Sequence, residues 1–328
     1  MTQKYRLTKG GLVDRNIKIS FTFNGKKYFG YKGDTLASAL IANGVHLVGR
    51  SFKYHRPRGF FGAGVDEPNA KVQLNKGSKT EPNANATEVE LVEGLVAKSQ
   101  NCWPSVFFDV GAINNFLQRF FPAGFYYKTF MWPKNFWHRV YEPIIRKAAG
   151  LGVASLKPDP DRYEHKFEFC DVLVVGSGPA GLSSALAAAK NGAKVILAED
   201  KAHFGGSLLT DDVNVGNKKG NDWANDTIKE LKSMPNVVVK NRSQVFGYYD
   251  HNMMVMCEKT GDHIPNRSQY IPRQKLWYIR SKEVILSTGS IERPIIFGNN
   301  DRPGIFLASG AKEYMKVYGV LVGKKPII

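Results

Sequence analysis

The sequence predicts an α/β fold: a small ferredoxin-like β-grasp domain followed by a doubly wound, Rossmann-type dinucleotide-binding domain that is incomplete at its C-terminus. Three observations predict it. A β-hairpin pattern and a helix pattern follow each other near the N-terminus, a short apolar strand runs into a glycine-rich turn in the second half, and 328 residues suffice for about two domains. The expected boundaries are 1–100 for the first domain, 101–165 for an aromatic connecting segment and 166–328 for the dinucleotide-binding domain.

Composition places the chain among ordinary globular proteins. Hydrophobic residues make up 43% and charged residues 23% of it, and no stretch is long and apolar enough for a membrane span or a secretory signal. We therefore expect a cytoplasmic protein without a membrane partner. Cys102, Cys170 and Cys257 are isolated from one another, which predicts reduced, structural thiols rather than a disulfide framework.

The net charge of +17 is concentrated near the N-terminus. Residues 1–60 contain twelve lysines and arginines against only Asp14 and Asp34, a local net charge of +10. A solvated surface, a subunit or cofactor contact, and a nucleic-acid surface all remain compatible with this excess. No helix-turn-helix, RRM or zinc-finger signature accompanies it, so nucleic acid is not the expected partner.

The first domain begins with a hairpin. Residues 17–31 alternate in polarity around an Asn-Gly dipeptide, the strongest short hairpin signal. Asp34 is the expected N-cap of a helix over 35–43, and Gly44 its left-handed end. In iron-sulfur versions of this domain the loop after the helix carries clustered cysteines. The corresponding segment 45–68 has none, so no cluster is expected there.

The connecting segment is rich in aromatic side chains. Residues 103–141 hold fourteen of the 39 aromatic residues, and four prolines at or just beyond this stretch rule out one long helix. A core strip between domains and a subunit interface both explain such density. The sequence favours neither of these two explanations.

The glycine-rich turn carries the strongest chemical signal. The apolar strand 171–175 leads directly into Gly176, Gly178 and Gly181, which open an alanine-rich helix over 182–190. The first glycine permits a tight turn, the second lets a pyrophosphate approach the backbone, and the third allows close packing of helix on strand. The phosphates would then lie at the helix N-terminus.

Further segments complete the predicted site. A second strand over 194–198 ends at Glu199, whose carboxylate would bond the adenosine ribose, and Glu199 and Asp200 together disfavour NADP by repelling a 2′-phosphate. Residues 204–207 offer another close backbone approach to the cofactor. Residues 284–289 are predicted to form another buried strand, which ends in the Thr-Gly turn at 288–289. The segments 237–240 and 244–246 would pass beside the adenine. No residue is predicted to be catalytic or to bind a metal, because no acid–base, nucleophile or ligand spacing occurs.

Several blocks resemble one family, the alpha subunits of heterotetrameric sarcosine oxidase. The blocks cover residues 10–15, 33–40, 48–59, 101–105, 122–132, 291–294 and 301–304. The resemblance implies a complex that demethylates sarcosine to glycine and formaldehyde or methylene-tetrahydrofolate, with oxygen as acceptor and hydrogen peroxide as product. It further implies beta, gamma and delta partner subunits, FAD and FMN held mainly by beta, and NAD held by this chain.

The resemblance also implies which residues contact NAD and that the chain is shorter than its relatives. It adds Ala180, Asp200, Lys201, Ser207 and Val245 to the expected NAD contacts. The full expected set is Gly176, Gly178, Ala180, Gly181, Glu199, Asp200, Lys201, Gly206, Ser207, Val245, Thr288 and Gly289. Family members run far longer and end in a folate-binding domain. The chain therefore reads as a fragment or the product of a split gene, and by itself it is expected to be inactive.

Alternative functions stay open. A related alpha subunit of a dimethylglycine, opine or proline dehydrogenase would share the glycine turn, although cysteine clusters usually occupy its first domain. A stand-alone disulfide reductase would need a redox cysteine pair, which the three isolated cysteines do not provide. Whether NAD or FAD occupies the turn is also left open, and bound flavin would show by its visible absorbance.

Overall fold

The chain folds into two compact units. The computed structural model describes residues 3–120, 124, 130–325 and 327. The first unit combines Met1–Pro160 with Glu292–Ile328, and the second is Asp161–Ile291. The expected second domain, 166–328, therefore differs from the observed unit at its C-terminal side.

Short strands and helices make up both units. The strands are β1 (Asp14–Phe23), β2 (Lys26–Lys32), β3 (Gly49–Arg50), β4 (Pro57–Arg58), β5 (Lys71–Leu74), β6 (Glu81–Asn85), β7 (Val96–Ser99), β8 (Tyr163–Val175), β9 (Val195–Ala198), β10 (Asn214–Val215), β11 (Lys218–Lys219), β12 (Val237–Lys240), β13 (Ser243–Tyr249), β14 (Met253–Glu258) and β15 (Gln274–Leu286). The α-helices described are α1 (Leu36–Ala42), α2 (Glu142–Ala148), α3 (Pro179–Lys190), α4 (Gly220–Ser233) and α5 (Ala308–Lys316). None of them has the length and apolar character that crossing a membrane requires.

The first unit is built on a mixed sheet of the order β2-β1-β7-β5-β6. The hairpin β1–β2 is antiparallel, β1 pairs with β7 in parallel, and β7, β5 and β6 are antiparallel. Inward-facing Phe21 and Phe23 are buried with Leu36 and Leu40 of α1. This arrangement confirms the predicted β-grasp hairpin and helix.

The start of α1 differs in one detail from the expectation. Thr35, not Asp34, is the N-cap: its hydroxyl accepts a hydrogen bond from Ser38 N, and the Ser38 hydroxyl accepts one from Thr35 N. Asp34 is engaged elsewhere, because both of its carboxylate oxygens accept hydrogen bonds from the Arg6 guanidinium, at 3.0 and 2.6 Å. Gly44 ends the helix with a φ of +80°, as predicted.

The C-terminal residues join the first unit through an aromatic anchor. Tyr314 of α5 is fully buried, and its hydroxyl donates to the Gly62 carbonyl at 2.9 Å. Its ring packs against Phe60 and Phe306. Burial of a large side chain with its hydroxyl satisfied explains why these residues fold with the first unit. The sequence pattern of α5 alone does not identify this partner.

The aromatic connecting segment is largely exposed where it is described. Trp103, Phe107, Phe116 and Trp132 are each at least 71% exposed on this chain. The segment forms short turns and the helix α2, so the prediction that it is not one long helix is confirmed. Four of its aromatic residues fall within 121–123 and 125–129, outside the described residues.

The second unit is built on a six-stranded sheet of the order β12-β9-β8-β15-β14-β13. The first four strands are parallel, and the last two are antiparallel. Alternate residues of β8 face opposite sides: Val174 packs with Leu182 of α3, whereas Leu173 packs with Met256 of β14. The predicted doubly wound, dinucleotide-binding type of sheet is confirmed.

Three elements extend beyond their predicted limits. β8 and β15 are each 13 residues long, because they pair with each other over nearly their whole length. Helix α3 begins at Pro179, three residues before the predicted start, because proline suits the first helical position. The glycine turn consequently connects β8 to α3 without any intervening loop.

Candidate dinucleotide-binding site

The predicted site lies at the carboxyl ends of parallel strands. After β8, Gly176 N donates to the Ala198 carbonyl of β9 at 2.8 Å. After β15, Ser287 N donates to the Val175 carbonyl of β8, also at 2.8 Å. In open α/β sheets, ligands bind in the crevice at these ends. These backbone hydrogen bonds thus bring the segments that follow β8, β9 and β15 to one edge of the sheet.

Three glycines shape the turn, each for a different reason. Gly176 has a φ of +96°, and a Cβ there would lie 2.3 Å from the Ser287 carbonyl oxygen. A Cβ on Gly181 would lie 1.9 Å from the Gly176 carbonyl oxygen, so no larger residue fits between helix and strand. A Cβ on Gly178 would instead meet nothing within 4 Å. Open space therefore faces the N-terminus of α3, where an anion is favoured.

A second glycine segment abuts the turn. A Cβ on Gly206 would lie 2.8 Å from the Gly178 Cα, so the two backbones approach closely. The preceding Gly205 donates its N–H to the Ser177 hydroxyl at 3.1 Å. Backbone without side chains thus lines two sides of the open space beside Gly178, which is the cradle that a pyrophosphate needs.

Glu199 lies directly beneath the turn. One of its carboxylate oxygens accepts hydrogen bonds from Ser177 N at 2.9 Å and from the Ser177 hydroxyl at 2.5 Å. The other accepts from Lys201 N at 3.0 Å. A carboxylate has about four acceptor positions, so capacity remains for a ribose hydroxyl. Glu199 is thus held beside the turn by its hydrogen bonds to Ser177.

The environment of Glu199 changes its acidity. Burial raises the pKa of the Glu199 carboxyl to about 7, and a hydrogen bond and the negative charge of Asp200 add to the rise. The hydrogen bonds from Ser177 and Lys201 act in the opposite direction. Because burial is the largest cause, ionisation of this group is costly until donors or a ligand compensate for the lost water.

The structure places the other expected residues around this core. Val245 is half-buried on β13, which reaches the site because Ser243 N donates to the Glu199 carbonyl at 2.8 Å. Ala180 is exposed in the first turn of α3, and Lys201 is half-buried beside Glu199. The remaining expected residues are exposed and lie after β9, in the turn beginning at Gly206, or after β15: Asp200, Ser207, Thr288 and Gly289.

Ser177 and Ser287 are not among the expected site residues, and Gly205 is expected only as part of the segment 204–207. Ser177 links Glu199 to Gly205 through one hydroxyl, and Ser287 packs against Gly176. Their location near the site is predictable from the sequence, since each lies next to a predicted glycine or threonine. Their roles are not predictable from the sequence, because they depend on contacts between segments 22 to 111 residues apart.

Within the described ranges, no group of three or more histidine, cysteine, aspartate or glutamate side chains could hold a metal ion.

Two family models match the chain. Residues 16–102 match a 2Fe-2S iron-sulfur cluster binding domain, and residues 171–233 match an FAD dependent oxidoreductase. The first segment contains a single cysteine, Cys102, at its last position. Because such a cluster needs four protein ligands, mostly thiolates, this segment matches the domain without its ligand set. The second segment begins within β8, at Asp171, and runs through the glycine turn, α3 and β9 to the end of α4.

Characterised relatives match almost the whole chain. It is 52% identical over 324 residues to sarcosine oxidase subunit alpha of Rhizobium meliloti (strain 1021), covering 99% of this chain and 33% of that protein. It is 32% identical over 323 residues to sarcosine oxidase subunit alpha of Corynebacterium sp. (strain U-96), covering 97% and 28%. The chain thus spans about a third of the length of these relatives.

A solved structure supports the fold. The crystal structure of L-proline dehydrogenase from P. horikoshii superposes on 98% of this chain and 50% of that chain, with a TM-score of 0.63 and 21% sequence identity. At this identity the likeness concerns the fold alone.

Proposed function

The chain belongs to the family of sarcosine oxidase alpha subunits, and we propose that it forms the part of such a subunit that binds NAD. The observation that supports this most directly is the cradle at Gly178. Bare backbone of the turn and of Gly206 borders open space at the α3 N-terminus, and Glu199 lies beneath it. The residues present therefore fit an adenine dinucleotide.

Individual residues have distinct roles in this proposal. Backbone N–H groups after Gly178 receive the pyrophosphate, with the dipole of α3 favouring its charge. The Glu199 carboxylate accepts from the ribose hydroxyls, while Ser177 and Lys201 hold it in place. Asp200, exposed beside it, adds negative charge against a 2′-phosphate. We assign NAD rather than FAD to this site because the chain resembles the alpha subunits. Titration with each dinucleotide distinguishes the two cofactors.

The proposed complex oxidises sarcosine to glycine and a one-carbon unit. Bound flavins supply the redox chemistry, and we place FAD and FMN mainly on a beta subunit, with oxygen as acceptor and hydrogen peroxide as product. Beta, gamma and delta subunits are the proposed partners. Exposed aromatic side chains of the connecting segment, such as Phe107 and Trp132, support a partner surface here, because aromatic residues are enriched in interfaces.

Titration of the chain with NAD, NADP and FAD tests the cofactor assignment. We expect saturable NAD binding, NADP binding weaker by about tenfold or more because two carboxylates oppose its extra phosphate, and no flavin absorbance in the purified chain. The measurement is isothermal titration calorimetry together with a visible spectrum. Equal affinity for NADP, or flavin retained at the turn, would contradict the assignment.

The acidity of Glu199 predicts a pH dependence of NAD binding. Below a pKa of about 7 the carboxyl is protonated and loses acceptor capacity for the ribose hydroxyls, so affinity falls as pH decreases through 7. We expect affinity to rise about tenfold from about pH 6 to about pH 8, following the ionised fraction. In Glu199→Gln the profile becomes flat. A wild-type profile without this rise would contradict the ribose-binding role.

Reconstitution tests the proposed reaction. The chain, extended by the rest of its subunit where one exists, is assembled with its partner subunits and assayed for hydrogen peroxide formed from sarcosine. Parallel assays use dimethylglycine, an opine and proline. If the complex oxidises one of these amines faster than sarcosine, that amine becomes the proposed substrate. The proposed NAD site is unaffected by this result.

A further inference from the structure

A group of charged residues in the first unit has no role in the dinucleotide site. Arg56 and Arg58 flank Pro57, and their side chains meet Asp301. Arg56 forms two hydrogen bonds with the Asp301 carboxylate, both at 2.7 Å, and Arg58 forms an ion pair with it at 3.0 Å. Arg302 follows Asp301 in the chain. We call these four residues the arginine cluster.

Positive charge in the arginine cluster exceeds what its carboxylate can neutralise. Asp301 pairs with Arg56 and Arg58, and together with Arg302 the four residues carry a net charge of +2. Burial lowers the pKa of Arg58, and the nearby positive charges of Arg56 and Arg302 lower it further, against the opposing effect of Asp301. Arg56 and Arg302 both donate to the Asn299 side-chain oxygen, at 3.0 and 3.5 Å, so their guanidinium groups lie close together. The side chains of Arg56 and Arg58 are only partly exposed.

Hydrogen-bonding capacity also remains unused. A guanidinium carries five N–H donors. Arg58 uses one nitrogen, for Asp301, and Arg302 makes one hydrogen bond, a long one of 3.5 Å to Asn299. Within the described ranges of the chain, the structure shows no further side-chain partner for either group.

The surrounding backbone holds the arginines rigidly. Gly59 packs so closely that a Cβ there would lie 2.7 Å from the His46 carbonyl oxygen and 2.8 Å from the Pro303 Cα. Antiparallel pairing of β3 with β4 also places Gly49 opposite Arg58. The segments that carry the arginines are therefore fixed against each other before any ligand arrives, which lowers the entropic cost of binding.

We propose that Arg56, Arg58 and Arg302 form a binding site for the phosphate group of a small phosphorylated ligand, with Asp301 holding the guanidinium groups in position. Planar guanidinium donors match the geometry of phosphate oxygens and bind them in pairs. A net charge of +2 matches a phosphate dianion better than a single carboxylate. This site is in the first unit and does not depend on the proposed NAD function.

Inorganic phosphate is the probe for this site. It is titrated into the full chain at constant ionic strength set with sodium chloride, and binding is followed by calorimetry and by broadening of the phosphorus NMR line. We expect saturable binding that Arg58→Gln and Arg302→Gln each weaken by about tenfold. Arg146→Gln changes an exposed arginine that pairs with Glu142; it serves as the matched control and should change affinity less than twofold.

Two further variants make the outcome decisive. Among the residues that the structure describes, Arg302→Gln removes one long hydrogen bond, so this variant should melt like the wild type even if Arg58→Gln unfolds. Gly178→Ala perturbs the dinucleotide turn and should leave phosphate binding at the arginine cluster unchanged. The proposal is overturned if phosphate binds no better than chloride, if Arg302→Gln binds like the wild type, or if Gly178→Ala abolishes binding.

Discussion

Replacing Asp34 by asparagine is expected to lower the free energy of unfolding of the first unit by about 3–5 kcal/mol. Asp34 is fully buried, and its carboxylate accepts from Arg6, from the Ser38 hydroxyl at 2.7 Å and from Tyr31 N at 2.8 Å. Arg6 also donates to the Tyr318 carbonyl at 2.7 Å. A neutral amide in place of the carboxylate would leave the Arg6 charge buried without a counterion. The measurement is urea unfolding.

Two comparisons show whether charge burial is the cause. Arg146→Ala breaks an exposed pair with Glu142 four residues earlier in the same helix, and such pairs contribute at most about 0.5 kcal/mol. The double variant Arg6→Met with Asp34→Leu removes both charges and should recover much of the lost stability. A loss below about 1 kcal/mol in Asp34→Asn would show that the pair does not hold the first unit together.

Gly178→Ala is expected to weaken NAD binding by about 100-fold, or about 2.8 kcal/mol, while the second unit stays folded. The new Cβ would meet no protein atom within 4 Å, and the φ of −67° suits alanine. The methyl group would instead occupy the space proposed for the pyrophosphate. Loss of glycine at the helix N-cap should cost no more than about 1 kcal/mol of stability. Calorimetry and thermal melting measure the two effects separately.

Two other glycines supply the controls for this experiment. Gly298→Ala also places a methyl group in open space, without a positive φ, and should change neither binding nor melting. Gly181→Ala forces a Cβ to within 1.9 Å of the Gly176 carbonyl oxygen and should lower the melting temperature. If Gly178→Ala binds NAD with the wild-type affinity, the glycine turn is not part of the cofactor site.

Much of the candidate site was predictable because its chemistry is local. The strand, Gly176, Gly178 and Gly181 follow one another within eleven residues, so their geometry depends on neighbours in sequence. The contact between Glu199 and Ser177 depends instead on the pairing of β8 with β9. Its consequence, a pKa of about 7 for Glu199, arises from burial that no residue pattern reveals.

The N-cap of α1 shows the same distinction on a smaller scale. Asp34 and Thr35 are both good capping residues, so the sequence allowed either. Arg6, 28 residues earlier, binds Asp34 and leaves the cap to Thr35. A long-range ion pair thus decided between two locally acceptable choices.

The sequence by itself determined the hairpin and helix of the first unit, the glycine turn of the second, and the family, because each depends on residues close together in the chain. Only the tertiary structure decided that Tyr314 and the C-terminal residues pack with the first unit, that Ser177 joins Glu199 to Gly205, and that Arg56 and Arg58 both pair with Asp301. These features require residues as many as 252 positions apart to meet. Burial and charge pairing act through space, so only the folded chain contains that information.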